Sequence, residues 1–418
     1  MTTSIDNIFN GFKLAAIASA VFCLPTNAGA QEVTLKSPDG SVNLTGDLIE
    51  FKDNAYIVSS KFGPLRVAGD KVECFGAACP GIQFLGQNGA DALNGVEATQ
   101  DGSVAWDVSL WGNRRAFTEH VEKLAELVSD QTDGKFTLNI SYGGLSDSRD
   151  NLDGISAGSF EMAQFCAGYH PEKNPSITVL ELPFLGVNSL EQEVELSKAV
   201  YSHPATKADL ARWNATLLMP SPLPQYNIMG AGSLPTSLSD FTGLKVRASG
   251  GIGAAIQTLG ADLVSMPATE VEAALKSGEL NAVSFAPHAH MAFGTVDSGT
   301  WYTTNLNPGT VNCPVVVNSD ALNELPTQFR VALLSSVDVA LDHYIENYNG
   351  ATMEAWDPTL DENGIVKLTV RDDIISSIRE LVAEPAAAAW INDNAARGLP
   401  AQGLYDLVVG KIAASGGS

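Results

Sequence analysis

Strand-like and helix-like segments alternate along the chain from Val104 to the C-terminus. In the strand-like segments apolar residues recur at every second position, and in the helix-like segments at every third or fourth. Strands that alternate with helices form sheets covered by helices, because each element must bury its apolar face against the other. The pattern therefore predicts an α/β fold for this part of the chain.

The periodicity also sets approximate bounds for the elements. The longest predicted helix carries Phe329, Leu333 and Val337 on one apolar face. The predicted strands cover residues 104–110, 136–142, 156–165, 244–248, 280–285 and 313–317, and the predicted helices cover residues 117–128, 251–260, 269–277 and 324–349.

The region before this α/β part has a different pattern. Residues 31–80 show short apolar alternations separated by turn residues at about ten-residue spacing, which is typical of a small all-β module. Residues 81–103 are rich in Gly, Ala, Asn and Asp and show little periodicity, so they are predicted to be a linker. Two roles for the β module stay open, docking to a membrane partner and stabilising the rest of the chain.

The N-terminus carries an export pattern. An apolar run at 14–24 follows Lys13, and Ala28 and Ala30 supply small residues before Gln31. This predicts residues 1–30 to be a signal peptide cleaved after Ala30, and a periplasmic protein. A buried N-terminal helix is the alternative. Cys23 follows a phenylalanine rather than a small residue, which argues against a lipid anchor.

Four cysteines remain after such processing: Cys74, Cys79, Cys166 and Cys313. An even number in an exported protein favours disulfides. Cys74 and Cys79 enclose a short loop that could close on itself, which would leave Cys166 and Cys313 as a second pair. A zinc site is the weaker alternative, since no histidine or third cysteine lies at ligand spacing.

The formal net charge of −24 limits the possible partners. Such a chain repels nucleic acid and anionic lipid surfaces, so neither is expected to bind. An anionic ligand must therefore be held by local positive charge.

Catalytic and cofactor motifs are missing from the sequence. There is no nucleophile elbow, no zinc-protease helix and no phosphate-binding Walker loop, so we expect no catalytic residues and no enzyme activity. An exported hydrolase or lyase is the alternative. Ser249 to Gly253 lacks the full glycine spacing of a dinucleotide turn, so no cofactor is expected. Small residues at this point instead allow a helix N-terminus to approach an anion.

Arg247 is the main candidate for holding that anion. It ends a predicted strand and precedes the small-residue turn. A guanidinium group can donate two parallel hydrogen bonds to a carboxylate. The alternative is a surface arginine in an ordinary ion pair.

A set of ordered motifs resembles the solute-binding proteins of tripartite ATP-independent periplasmic (TRAP) transporters, the DctP-like family. None of the motifs is specific alone, but together they cover about residues 104–400. They are DQTDGK at 130–135, ELPFL at 181–185, LSDFTGLKVR at 238–247, LGA at 259–261, MP at 266–267 and EVEAALKSGELNA at 270–282.

The resemblance implies a two-lobed periplasmic solute-binding fold with crossing hinge strands and a long bracing helix. Lobe I would comprise residues 104–222 and 314–348, and lobe II residues 223–313 and 349–418. It further implies a monomeric receptor that binds a small organic acid between the lobes and delivers it to integral-membrane TRAP transporter subunits. Presentation of the ligand to a sensor or an ABC importer is the alternative.

The resemblance also assigns site residues. Arg247 matches the main carboxylate-binding arginine of the family, and Phe285 takes the place of a polar cleft residue. Ser284 replaces the carboxylate that some relatives use for metal-assisted binding, so no metal is expected. A second arginine expected near Tyr226 is missing, which favours a ligand with one carboxylate. Further candidates that follow predicted strands are Trp111, Asn113, Arg115, Tyr169, His170 and His288. Tyr226 is a candidate because it lies where the second family arginine is expected. His288 and His290 could suggest a metal site, but such spacing is usually unrelated to metal binding.

Overall fold

The structure is a computed structural model that describes residues 32–37, 43–52, 55–60, 63–68, 71–75, 79 and 102–415. The predicted signal peptide and nearly all of the predicted linker lie outside these residues and stay predictions. The chain divides into two compact units, residues 1–75 and 76–418.

The first unit contains a five-stranded antiparallel sheet in the order β4-β3-β2-β1-β5. Alternate residues on its strands, among them Val33, Leu35 and Val58, are buried. A sheet with one buried face has this period of two. The structure thus agrees with the predicted small all-β module. The strands are β1 (Glu32–Lys36), β2 (Asn43–Lys52), β3 (Ala55–Ser60), β4 (Gly63–Ala68) and β5 (Glu73–Phe75).

The second unit has eleven strands and thirteen helices among its described residues. The strands are β6 (Val104–Leu110), β7 (Phe136–Tyr142), β8 (Met162–Gln164), β9 (Ala215–Met219), β10 (Asn227–Gly230), β11 (Lys245–Arg247), β12 (Asp262–Val264), β13 (Ala282–Phe285), β14 (Trp301–Thr303), β15 (Val315–Asn318) and β16 (Val366–Leu368). The helices are α1 (Glu119–Gln131), α2 (Asn151–Ala157), α3 (Leu190–Ser202), α4 (Pro204–Ala211), α5 (Gly250–Thr258), α6 (Val271–Ser277), α7 (Pro287–Ala292), α8 (Ser319–Glu324), α9 (Thr327–Ser335), α10 (Val337–Asn347), α11 (Met353–Glu362), α12 (Asp372–Ala396) and α13 (Ala401–Ser415).

These strands form two mixed sheets, which define two lobes. The first sheet has the order β7-β6-β8-β15-β9, and the second has the order β12-β11-β13-β10-β14-β16. On α1, Val121, Leu124 and Val128 are buried against the first sheet, because their spacing places them on one side of the helix. On α5, Ile252 and Ile256 pack in the same way with the second sheet. The predicted α/β, two-lobed fold is confirmed.

Three connections carry the chain between the sheets, and the last of them, residues 319–365, leads from β15 to β16 through α8 to α11. Residues 220–226 join β9 to β10, and residues 304–314 lead from β14 back to β15. A disulfide joins Cys166, just after β8, to Cys313, just before β15. Cys74 and Cys79 are also disulfide-bonded, so all four cysteines are in the state that the sequence predicts.

The longest helix, α12, spans both lobes. Ile378 and Val382 pack with residues of the second sheet, whereas Ala387 packs with residues of the first. Helix α13 then packs with α3 and buries Leu404 among residues of the first lobe. The end of the segment 349–418, which the sequence analysis assigned to lobe II, therefore lies on lobe I. The other lobe boundaries stay predictions.

Two predicted elements differ from the structure. The predicted helix 324–349 is broken at Leu325 and Pro326, between α8 and α9. It is broken again at Ser336, whose hydroxyl donates a hydrogen bond of 2.7 Å to the carbonyl of Ala332. Serine competes for backbone groups in this way and favours a helix end over a helix interior. The predicted strand 156–165 begins too early, since α2 continues to Ala157 and ends at Gly158 with a φ of 67°.

In the parts of the chain that the structure describes, no helix is both long enough and apolar enough to cross a bilayer.

We expect the Cys166–Cys313 disulfide to stabilise the second unit, because it closes a loop across a sequence separation of 147 residues. Replacing both cysteines by alanine should lower the free energy of unfolding by roughly 2–5 kcal/mol, measured by urea denaturation. Dithiothreitol should then destabilise the double variant less than the wild type. Equal stability of the two proteins would contradict this role.

Candidate functional site

A cavity lies between the two sheets, at the ends of their central strands. The space that protein atoms leave unfilled there, counted together with the adjoining open solvent, is about 430 Å³. In the first lobe, its wall follows β6 and β8; in the second lobe, it follows β11 and β13. The carboxyl ends of parallel strands meet at one edge of a sheet, which is where ligands of α/β proteins bind. Most of the lining is supplied by Trp111, Arg115, Phe117, Tyr169, Glu181, Leu223, Tyr226, Arg247, Ser249, Phe285, His288, Phe293, Val311 and the Cys166–Cys313 disulfide.

Arg247 ends β11 and lies in this wall with 2% of its surface exposed. Its Nε donates a hydrogen bond of 3.1 Å to the carbonyl of Met266, and its Nη2 donates one of 3.3 Å to the Tyr169 hydroxyl. Its guanidinium carbon lies 4.8 Å from the centre of the Phe285 ring. In the described part of the chain, no carboxylate forms an ion pair with it. The alternative of a surface arginine in an ordinary ion pair is therefore wrong.

Arg115 brings a second positive charge to the same cavity. Its Nη1 donates to the carbonyls of Trp111 at 2.9 Å and Asn113 at 2.7 Å. Its Nε and Nη2 have no hydrogen-bond partner among the described residues. Burial lowers the pKa of Arg115 to about 10, so the side chain stays protonated at neutral pH. Although no arginine lies next to Tyr226, the loop after β6 supplies another guanidinium group.

Aromatic rings surround these two cations. The ring of Trp111 is nearly parallel to that of Phe293 at 6.1 Å and lies 5.8 Å from that of Tyr169. Phe285 lies 5.8 Å from Phe293. Such rings attract cations through their π faces and exclude water from the site. Phe293, just after α7, was not predicted. It lies one helical turn after Ala289, which also lines the cavity, so helical spacing was the sequence signal that could have identified it.

Glu181 is another cavity residue that was not among the predicted site residues. Its side chain is 2% exposed, and its Oε1 accepts hydrogen bonds from the backbone N–H groups of Asn312 at 2.9 Å and Gly168 at 3.2 Å. Its Oε2 has no partner among the described residues. Burial raises the pKa of this carboxyl to about 7, against the two hydrogen bonds, which lower it. The signal in the sequence was a glutamate between the apolar residues Leu180 and Leu182.

Two of the predicted site residues lie away from the cavity wall. The side chain of Asn113 is exposed at the tip of the loop, and only its carbonyl takes part, by accepting from Arg115. His170 packs against Phe165, with 5.4 Å between the ring centres, and does not line the cavity. Both follow a strand closely in sequence, but the turns in which they lie direct their side chains elsewhere.

The histidines after β13 have separate partners. His288, which lines the cavity, shares a hydrogen bond of 2.8 Å between its Nδ1 and the Tyr348 hydroxyl. His290 shares one of 2.7 Å between its Nδ1 and the Thr295 hydroxyl. Burial lowers the pKa of both histidines, so both are neutral at pH 7. Among the described residues, no group of three or more His, Cys, Asp or Glu side chains could hold a metal ion.

The sequence of the chain also matches the model of a known protein family. Residues 108–392 match the family model of DctP, described as bacterial extracellular solute-binding protein, family 7. The chain is 25% identical over 255 residues to a monocarboxylate 2-oxoacid-binding periplasmic protein of Nostoc sp., a match that covers 56% of this chain and 65% of that protein, less than two thirds of its length.

Solved structures with the same fold include three receptors. The extracytoplasmic solute receptor DctP7 of Bordetella pertussis, which binds pyroglutamic acid, is 20% identical with a TM-score of 0.65, covering 73% of this chain and 99% of that one. A marine metagenome TRAP solute-binding protein specific for aromatic acids, in complex with 3-hydroxybenzoate, is 18% identical with a TM-score of 0.67, covering 75% and 99%. A TRAP periplasmic solute-binding protein of Desulfovibrio salexigens with bound orotic acid is 17% identical with a TM-score of 0.65, covering 74% and 99%.

The buried histidines near the cavity make stability depend on pH. His120 shares a hydrogen bond of 2.7 Å between its Nε2 and Ser221, and burial lowers its pKa from 6.5 to about 3. Its contribution to stability is therefore present above pH 6.5 and is lost as the pH falls toward 3. The loss is about 1.4 kcal/mol per pH unit for a single group.

We expect a His120→Gln variant, which keeps a donor near Ser221 but does not titrate, to lose less stability than the wild type between pH 7 and pH 5. The difference should be about 2 kcal/mol in the free energy of unfolding from urea titrations. Comparing the two proteins cancels the contributions of other titrating groups. The same loss in both proteins would show that His120 is not the neutral buried group described here.

Proposed function

We propose that this chain, which belongs to family 7 of the bacterial extracellular solute-binding proteins, is a periplasmic receptor that binds a small carboxylic acid between its lobes and delivers it to the membrane subunits of a TRAP transporter. The observation that carries the proposal is Arg247, a buried cation in the interlobe cavity with which no carboxylate of the described residues forms an ion pair.

The electrostatics of the cavity favour an acid. A buried guanidinium group without a counterion is costly, and a carboxylate that accepts two of its hydrogen bonds removes that cost. Each charge-assisted hydrogen bond contributes about 1.5–3 kcal/mol. Micromolar binding requires about 8 kcal/mol, so the aromatic walls formed by Trp111, Tyr169 and Phe285 must supply the remainder through burial of the ligand.

The known ligands of similar proteins support the same class. Pyroglutamic acid, 3-hydroxybenzoate and orotic acid are all acids, and the Nostoc relative is described as binding monocarboxylate 2-oxoacids. Their shared feature is a carboxylate on a small and otherwise varied molecule. We infer that Arg247 holds this carboxylate and that the surrounding side chains select the rest of the ligand.

Transport follows from closure of the lobes around the ligand. A ligand that contacts both walls of the cavity stabilises the closed form over the open one. The segments 220–226 and 304–314 that cross between the sheets are the places where the lobes can hinge. Membrane subunits that recognise the closed form would then receive the ligand without any chemistry on it. An ABC importer or a sensor as the recipient is the second candidate.

We expect Arg247→Ala to weaken binding of the carboxylate ligand by at least about a hundredfold, because it removes two charge-assisted hydrogen bonds. The ligand would be identified by mass spectrometry after it co-purifies with the wild type, and its affinity measured by calorimetry.

Arg114→Ala is the matched control. Arg114 is exposed, forms an ion pair with Glu122 and lies outside the cavity, so its removal should leave affinity unchanged. If Arg247→Ala keeps the affinity of the wild type, or if the bound molecule has no acid group, the proposed function is wrong.

A further inference from the structure

We propose that Glu181 selects the ligand by accepting, through Oε2, a hydrogen bond from an O–H or N–H group that the ligand carries besides its carboxylate. The inference rests on the proposed function and narrows its substrate class. The receptor would prefer hydroxy acids, and acids with an amide or ring N–H, to matched acids that lack the donor or replace it with a carbonyl.

The backbone fixes the orientation of the Glu181 carboxyl group. Oε1 accepts from the N–H groups of Asn312 and Gly168, which lie on either side of the cavity disulfide, next to Cys313 and two residues after Cys166. Both hydrogen bonds go to one oxygen of a side chain that lines the cavity, so the other oxygen, Oε2, is the one left for a ligand. Oε2 is buried and has no partner among the described residues.

The start of α5 is shaped around the same oxygen. A Cβ atom added to Gly250 would lie 2.4 Å from Oε2, too close for any side chain to be tolerated without displacing it. Gly250 also has a φ of 54°, which a glycine adopts without strain. The missing side chain of Gly250 thus leaves the space that the carboxyl group of Glu181 occupies.

The other buried side-chain atoms of the described cavity wall that lack a partner are donors. In the part of the chain that the structure describes, these are Nε and Nη2 of Arg115 and Nε1 of Trp111. Oxygen atoms of a ligand can accept from these donors and from Arg247. Among the buried side-chain atoms of the described wall residues, Glu181 Oε2 is the one oxygen without a partner, and a donor on the ligand can satisfy its ionised form. A ligand carbonyl at the same place would face a second acceptor, and a buried group left unpaired weakens binding strongly.

The protonation of Glu181 gives the preference a pH dependence. Because Oε1 already accepts two hydrogen bonds, a proton would reside on Oε2 and turn it into a donor. Burial raises the pKa of this carboxyl to about 7. The fraction of molecules in which Oε2 is ionised and accepts a hydrogen bond should therefore increase as the pH rises from 6 to 8.

The charged and titratable groups around Glu181 do not create this dependence themselves. Across the cavity lie the guanidinium groups of Arg115, whose pKa of about 10 keeps it protonated, and of Arg247. His288 stays neutral because burial lowers its pKa well below 6.5. Tyr226 and Tyr201 stay neutral because burial raises their pKa values. Glu193 on α3 also has a pKa raised by burial, and it therefore serves as the control residue.

Glu181→Gln replaces one acceptor oxygen of the carboxylate with an NH₂ donor and keeps nearly the same side-chain volume. The two backbone N–H groups require an oxygen, so the glutamine should present its NH₂ group to the cavity. The probes are two matched pairs, lactate with pyruvate and 3-hydroxybenzoate with benzoate, measured by calorimetry at pH 6 and pH 8. The wild type should bind the hydroxyl-bearing member of a pair at least about tenfold more tightly at pH 8, with a smaller preference at pH 6. Glu181→Gln should abolish or reverse the preference at both pH values.

The controls separate the two proposals. Glu193→Gln should keep the preference of the wild type, because Glu193 bonds the N–H of Leu223 and does not line the cavity. If Arg247→Ala loses all binding while Glu181→Gln keeps the wild-type preference, the selection by Glu181 is wrong and the proposed function stands. If the wild type binds none of the four acids, the inference about Glu181 is overturned, whereas the proposed function still stands or falls with the co-purified ligand and Arg247→Ala. Should Glu181→Gln fail to fold in a thermal melt, the wild type decides alone, since a preference that is constant from pH 6 to pH 8 would overturn the inference.

Discussion

A guanidinium group buried without a counterion is the constraint on which the site depends. Arg247 is held in place by the carbonyl of Met266, the hydroxyl of Tyr169 and the face of Phe285, but none of these carries a negative charge. Such a group is tolerated only because neighbouring structure fixes it, and it gains most when an anion arrives. The two lobes meet around this cation, so one interaction can both bind an acid and favour their closure.

The remaining polar atoms of the cavity determine what else the acid must carry. Arg115 and Trp111 offer donors, whereas Glu181 offers an oxygen whose role depends on its proton. The net charge of −24 cannot attract an anion from a distance, so affinity arises within the cavity, where water is excluded and charges interact strongly. Discrimination among acids of similar size then depends on which buried atoms a ligand leaves unpaired.

Local patterns predicted most of the fold, and the failures have identifiable causes. The spacing of Val121, Leu124 and Val128 is enough to predict α1, since each element must bury one face. The break at Ser336 escaped detection because the apolar face continues through it, and only the hydrogen bonds of the serine end the helix. The docking of α13 onto the first lobe could not be predicted because an amphipathic helix does not specify which of two surfaces it covers.

The sequence by itself determined the alternation of strands and helices, the four cysteines that form disulfides, and an arginine at the end of a strand beside small residues. These features are local, since periodicity and strand ends depend on neighbouring residues. Only the tertiary structure decided that Arg115, Glu181 and Arg247 face one cavity, and that Asn113 and His170 do not. Residues from three distant segments converge because of strand order and crossing connections, and the direction of each side chain depends on turns whose geometry a sequence pattern does not specify.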